Sequence, residues 1–215
     1  AFYDELTTLA RSLEPSWSEV LAAAARQYPP FIDFQPPLYY LVVHAVVALG
    51  GTSDFWVRLP AALAGAACAP LAYWLGKRLG GPVCGLFAGT ALAVNLYHID
   101  VSQQVRLYAL FGALTLGALL ALLRALAGGH RRDWGVFALT LAAGLYTSYL
   151  TAATLVVAVA VTALALFWPV AGAAPPKRTL LGLAAAMAVA FAAFWPWLAA
   201  TGGMRAYLLA AATPV

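Results

Sequence analysis

The chain has 215 residues, 64% of them hydrophobic and only 9% charged, with a mean hydropathy of +0.84. Soluble domains carry roughly 45–50% apolar and about 25% charged residues, so a water-soluble globule is excluded and an all-α, polytopic integral membrane protein is expected. The net charge of +4 does not point to nucleic acid, because the basic residues stand in short clusters between apolar runs, where they set membrane orientation.

The opening Phe2-Tyr3-Asp4-Glu5 has neither the charged n-region nor the apolar h-region of a signal peptide, so an upstream segment is to be expected. Ser16 is placed to cap a helix, and Glu19 three residues on can return the hydrogen bond. Trp17, Val20, Leu21 and Ala24 then share one face, which predicts a short helix along the bilayer surface to about Gln27, stopped by Tyr28-Pro29-Pro30. The next apolar piece, Leu41 to Leu49, falls short of the roughly 20 residues a perpendicular crossing needs, so an interfacial or re-entrant helix is expected. Gly50-Gly51-Thr52-Ser53-Asp54 breaks it.

About six transmembrane helices follow: Trp56 to Gly76, Pro82 to Tyr97, Leu107 to Leu126, Trp134 to Tyr149, Thr151 to Trp168 and Thr179 to Ala200. The run from Trp134 to Trp168 is too long for one crossing at about 1.5 Å per residue, and its turn is placed at the polar interruption Gly144 to Tyr149. The expected organisation is an external loop with juxtamembrane helices over 1–55, a membrane module over 56–200 and the start of an external segment over 201–215. Lys77-Arg78, then Arg124 with Arg131-Arg132, then Lys177-Arg178 mark the cytoplasmic breaks. Asp4, Glu5, Gln35, the block from His98 to Arg106 and Tyr146 to Tyr149 then share the opposite side. Cys68 and Cys84 lie in apolar runs without metal-ligand spacing and read as buried free thiols.

The block His98-Ile99-Asp100-Val101-Ser102-Gln103-Gln104-Val105-Arg106-Leu107-Tyr108 is the feature hardest to explain by packing. Charge at membrane depth costs about 2.5 to 3.5 kcal/mol per residue even on lenient scales, so a wet site at a membrane surface is the functional reading and a solvated loop the plain one. Asp100 lies four residues before Gln104, on one face if the block is helical. Taken alone, Asp4 and Glu5 read equally as solvated acids, His98 as an interfacial aromatic, Tyr39 and Tyr149 as members of an aromatic belt, and Arg58 as a side chain snorkelling to headgroups.

Phe-Tyr-Asp-Glu at 2–5, Gln-Pro-Pro-Leu-Tyr-Tyr at 35–40, Val-Arg-Leu-Pro-Ala-Ala-Leu-Ala-Gly at 57–65, the block from 98 to 110 and Gly-Leu-Tyr-Thr-Ser-Tyr at 144–149 occur in that order. Together they resemble the protein O-mannosyltransferase-like and aminoarabinose-transferase-like branch of the GT-C glycosyltransferases. The resemblance implies an enzyme that moves a sugar from a polyprenyl-phosphate carrier to a lipid, glycan or protein acceptor on the outer, periplasmic side of the plasma (inner) membrane. It implies an Asp-Glu pair just outside a first membrane helix, which here would precede Ala1. The chain departs from the pattern in having Gln35-Pro36-Pro37 where His-Pro-Pro or Glu-Lys-Pro is frequent, Gln104-Val105 where Glu-Ala is frequent, and Ser148 where His is frequent.

Such a transfer needs a base for the acceptor hydroxyl and positive charge or donors for the departing phosphate. Asp4 is the candidate base, with Glu5 or Asp100 orienting the acceptor or a divalent metal ion, and Arg106 the candidate phosphate clamp, since its planar fork matches phosphate oxygens. Gln35, Tyr39, Gln103, Gln104 and Tyr149 are candidate substrate contacts. Membrane lipids are expected partners and nucleic acid is not. A transporter would carry its charges near mid-span, often in broken, repeated helices; a non-catalytic scaffold would fit the missing second carboxylate.

Overall fold

The computed structural model describes residues 3–25, 35–128, 130–167 and 176–201. Among these residues the chain is helical with no strand: α1 Tyr3–Ser12, α2 Trp17–Ala25, α3 Leu38–Gly50, α4 Asp54–Ala93, α5 Leu96–Gln103, α6 Tyr108–Gly128, α7 Arg131–Thr147, α8 Thr151–Phe167 and α9 Pro176–Ala200. The expected stop at Tyr28-Pro29-Pro30, Phe2, Trp168 and the segment 202–215 lie outside the described residues.

Three of these helices are long and apolar enough to cross a membrane: α4, α6 and, over Lys177–Ala200, α9. The forty residues of α4 would span about 60 Å if straight, twice a hydrocarbon core. The helix is broken instead at Gly80 and Gly81, where φ is +82° at Gly81, a conformation that costs glycine little and an L side chain much. Two limbs, 54–79 and 82–93, fold back on each other there. A Cβ on Gly85 would sit 2.6 Å from the Tyr73 carbonyl oxygen and one on Gly76 2.9 Å from that of Cys84, so bare glycine lets the backbones touch. The second limb is only about 18 Å long. It stops at Ala93, short of the expected Tyr97, because Asn95 caps a new helix, its Oδ1 accepting from the His98 N–H at 2.8 Å.

The other turns follow the chemistry of their residues. Gly51 closes α3 at φ +91°, its N–H donating to Val47 O at 2.8 Å. Ser16 Oγ accepts the Glu19 N–H at 3.3 Å and donates to Glu19 Oε2 at 2.7 Å, starting α2. Val20, Ala23 and Ala24 are the buried stripe of α2, whereas Trp17 and Leu21, expected on that face, are exposed; Trp17 packs edge-on against His44 instead.

Helix α1 was not expected. Its buried face is Glu5, Thr8, Arg11 and Ser12, while Leu6 and Leu13 face outward. Leu6, Leu9 and Leu13 do recur at helical spacing, but Leu6 and Leu13 face outward, so the periodicity points away from the face that packs. Two hydrophobic clusters carry the packing. The larger joins α6, α7, α8 and α9 around Leu122, Phe137, Leu141 and Phe194; the smaller, Tyr39, Val43, Val57, Val105 and Leu107, lies beneath the buried face of α1. Both cysteines are free, but only Cys68 is buried; Cys84 is exposed on the second limb of α4.

Candidate active site

Three segments distant in sequence meet at one end of the bundle: the first turn of α1, the second turn of α4 at Arg58, and the elbow between α5 and α6. The elbow exists because α5 ends at Gln103, Gln104 is extended at φ −86° and ψ 145°, and the Arg106 N–H turns back to Gln104 O at 2.8 Å. Glu5 fastens all three. Its carboxylate is only 2% exposed. Oε1 accepts from Arg58 Nη1 at 3.0 Å and from the Val105 N–H at 2.8 Å, and Oε2 from Arg58 Nη2 at 3.5 Å. Arg58 also donates to the Gln103 carbonyl, so it does not snorkel; it ties α4 to the end of α5.

Arg106 lies beside this clamp with its side chain 8% exposed. Nη1 donates to Asp4 O at 3.2 Å and Thr8 Oγ1 at 3.3 Å, and Nη2 reaches Tyr108 OH at 3.5 Å and Asp4 Oδ2 at 4.0 Å. The adjacent acids are therefore in different surroundings: Glu5 is enclosed and saturated with donors, whereas the Asp4 side chain is 69% exposed. The helix itself explains the split, since consecutive residues on α1 point about 100° apart.

Tyr39, in the first turn of α3, is buried among these charges. Burial, the largest cause, pushes its phenol well above the ordinary value; Arg106 pulls it down, Glu5 up and Arg58 down. Its hydroxyl and Gln35 Oε1 are buried without a hydrogen-bond partner among the described residues. The polar face of α1 is otherwise laced together: Arg11 Nη1 donates to Tyr40 OH at 3.0 Å, Ser12 Oγ to Thr8 O at 2.7 Å, and a His44 ring nitrogen meets Ser12 O at 3.0 Å.

The remaining sequence candidates make other contacts. Asp100 is exposed, and its carboxylate accepts from Gln104 Nε2 at 2.8 Å, the one partner it has among the described residues. Gln103 is exposed and contributes its carbonyl to Arg58. His98 Nε2 meets Gly65 O at 3.1 Å and straps α5 to α4. Tyr149 belongs to the larger cluster, its hydroxyl accepting from Trp197 Nε1 at 3.3 Å and its ring packed on Phe194. Arg58, Thr8 and Tyr108 were not anticipated as site residues. A signal for Arg58 was available: with Arg106 it is a cation on the side that the charge rule leaves poor in cations, and such a cation needs an anion.

Among the described residues no three acids, histidines or cysteines gather as metal donors. Glu5 is held by Arg58 and Val105, and Asp100 by Gln104, and the positive charge beside Asp4 is that of Arg106. The arrangement offers an open carboxylate, a buried guanidinium within 4.0 Å of it, and two buried polar atoms at the start of α3 that can meet a ligand. No curated protein and no solved structure matches the chain. The sequence model of one family, described as dolichyl-phosphate-mannose-protein mannosyltransferase, matches residues 34–200.

Proposed function

From a chain that belongs to the dolichyl-phosphate-mannose-protein mannosyltransferase family, and is on that ground a GT-C membrane glycosyltransferase using a lipid-linked sugar donor and an acceptor, we propose the following reaction. A sugar passes from polyprenyl phosphate to an acceptor hydroxyl on the non-cytoplasmic face of the plasma (inner) membrane. Asp4 takes the hydroxyl proton. The acceptor oxygen bonds to the anomeric carbon as the bond from that carbon to the phosphate oxygen breaks, and polyprenyl phosphate leaves as an anion whose charge Arg106 offsets. Direct displacement inverts the anomeric configuration.

The observation that carries this reading is the split between the two adjacent acids. A base must reach its substrate, and of the pair only Asp4 is open to one. Glu5, with Arg58, is a positioning residue: it pins the first turn of α1 to α4 and to Val105, and so fixes where Asp4 and Arg106 stand. Tyr39 OH and Gln35 Oε1 are substrate contacts in this scheme. A buried polar atom without a partner costs about 1–3 kcal/mol, and a bound sugar or phosphate would relieve that cost. Asp100 and Gln103, both exposed, and the half-buried Gln104 form a rim at the elbow where an acceptor can approach. Tyr149, engaged with Trp197 and Phe194, has no part.

We read the helical segments as about six crossings with this site outward. The cationic breaks Lys77-Arg78, Arg124 with Arg131-Arg132, and Lys177-Arg178 then face the cytoplasm together. The test is transfer in proteoliposomes from a panel of polyprenyl-phosphate sugars of known anomeric configuration, with the product configuration read by NMR. Inverted product made from externally added acceptor is expected; retention of configuration would overturn direct displacement.

A further inference from the structure

The far end of the bundle holds a cleft that the transfer reaction does not use. Twenty residues of α4 separate Arg58 from Arg78, about 30 Å of helix and the thickness of a hydrocarbon core, so the cleft opens at the opposite membrane face. It has a volume of about 860 Å³ between α4, α6 and α7. Its lining changes character with depth. Arg78, Arg124 and Arg132, one from each helix, stand at the rim, and Gly117, Leu120 and Val136 line the apolar interior. From Arg124 back to Gly117 along α6 is about 10 Å of helix, so the apolar wall runs well into the bilayer from the charged rim.

The three rim arginines have no hydrogen-bond or ion-pair partner among the described residues. The one acid at the rim, Asp133, lies 3.8 Å from His130 instead. The positive-inside rule accounts for arginines at this face, but not for three of them converging from three helices on one cleft with an apolar floor. Cations over an apolar slot match an amphiphile with an anionic head, and guanidinium forks suit phosphate oxygens.

We propose that this cleft is a binding site for a membrane lipid with an anionic phosphate headgroup, held by Arg78, Arg124 and Arg132 with an acyl chain along α6. The occupant is a lipid and not free phosphate, because the greater part of the wall below the rim is apolar.

The test is native mass spectrometry of the purified chain released from nanodiscs. Phosphatidylglycerol, phosphatidylcholine and phosphatidylcholine with inorganic phosphate are compared, for the parent and for the variant Arg78→Gln/Arg124→Gln/Arg132→Gln. The parent is expected to retain phosphatidylglycerol selectively, and the triple variant to bind it roughly a hundredfold more weakly, from about tenfold in affinity per 1.4 kcal/mol and the usual contribution of each basic residue near an anionic surface. Asp133→Asn removes the opposing charge and is expected to tighten binding, a gain that loss of fold cannot produce. Equal retention of phosphatidylcholine, displacement of the lipid by inorganic phosphate, or undiminished binding in the triple variant together with no gain in Asp133→Asn would each overturn the proposal. Sugar transfer is not the readout, so the result stands whatever the fate of the proposed reaction.

Discussion

Replacing Glu5 by alanine removes the acceptor for three N–H groups at once. The Val105 N–H is left in a buried elbow, and Arg58 loses both contacts of its fork. Removing one partner of a buried ion pair costs about 3–5 kcal/mol. Arg58 is 37% exposed and can turn partly to water, which brings the ion-pair share down to about 1–2 kcal/mol. The stranded Val105 N–H adds about 1–3 kcal/mol, so a total of roughly 2–5 kcal/mol is expected. Glu5→Gln should cost less, about 1–2 kcal/mol, because the amide oxygen can occupy the Oε1 position and keep Val105 and Arg58 Nη1, leaving only its NH₂ against Nη2. Unfolding in mixed micelles of mild and denaturing detergent measures both. The predicted order of stability is parent, then Gln, then Ala. If alanine unfolds at the parent's midpoint, Glu5 does not brace the elbow and its placement as a positioning residue is wrong.

A Cβ on Gly85 would lie 2.6 Å from the Tyr73 carbonyl oxygen, so Gly85→Ala must spread the two limbs of α4 and lower thermal stability by about 1–3 kcal/mol; Gly135, with nothing within 4 Å of its Cβ position, should gain up to about 1 kcal/mol as alanine in the same assay. Tyr39→Phe deletes a hydroxyl without a partner among the described residues, so the fold should hold or tighten while transfer falls, seen by comparing the melting midpoint with kcat/KM. Because burial holds the Tyr39 phenol above its ordinary value, the unfolded chain releases that proton above about pH 10 while the folded chain keeps it. Stability therefore falls with rising pH in that range, and Tyr39→Phe should flatten the slope.

The parts of the fold that follow from local chemistry were legible in the sequence. The break between Gly76 and Pro82, the turn within Gly144 to Tyr149 and the Ser16 cap all depend on residues within a few positions of one another. What could not be read is polar and long-range. Helix α1 buries Glu5, Thr8, Arg11 and Ser12, so the helical spacing of Leu6, Leu9 and Leu13 marks a face other than the polar one that packs. The Glu5–Arg58 pair joins residues 53 apart, and Glu5 with the Val105 N–H joins residues 100 apart. Nothing in either residue's neighbourhood announces its partner. The same limit explains why Asp4 and Glu5, one motif in sequence, have opposite surroundings in the fold.

The most direct measurement is transfer of radiolabelled sugar from polyprenyl-phosphate donors by the parent and by Asp4→Asn, in liposomes, with melting midpoints recorded for both. Asp4 is open and its side chain makes a long, 4.0 Å ion pair with Arg106 that the asparagine oxygen can still face, so the variant should keep its fold while transfer drops at least roughly a hundredfold, the lower end of what a general base contributes. A folded Asp4→Asn protein that transfers sugar at the parent's rate would contradict the assignment of Asp4 as the base.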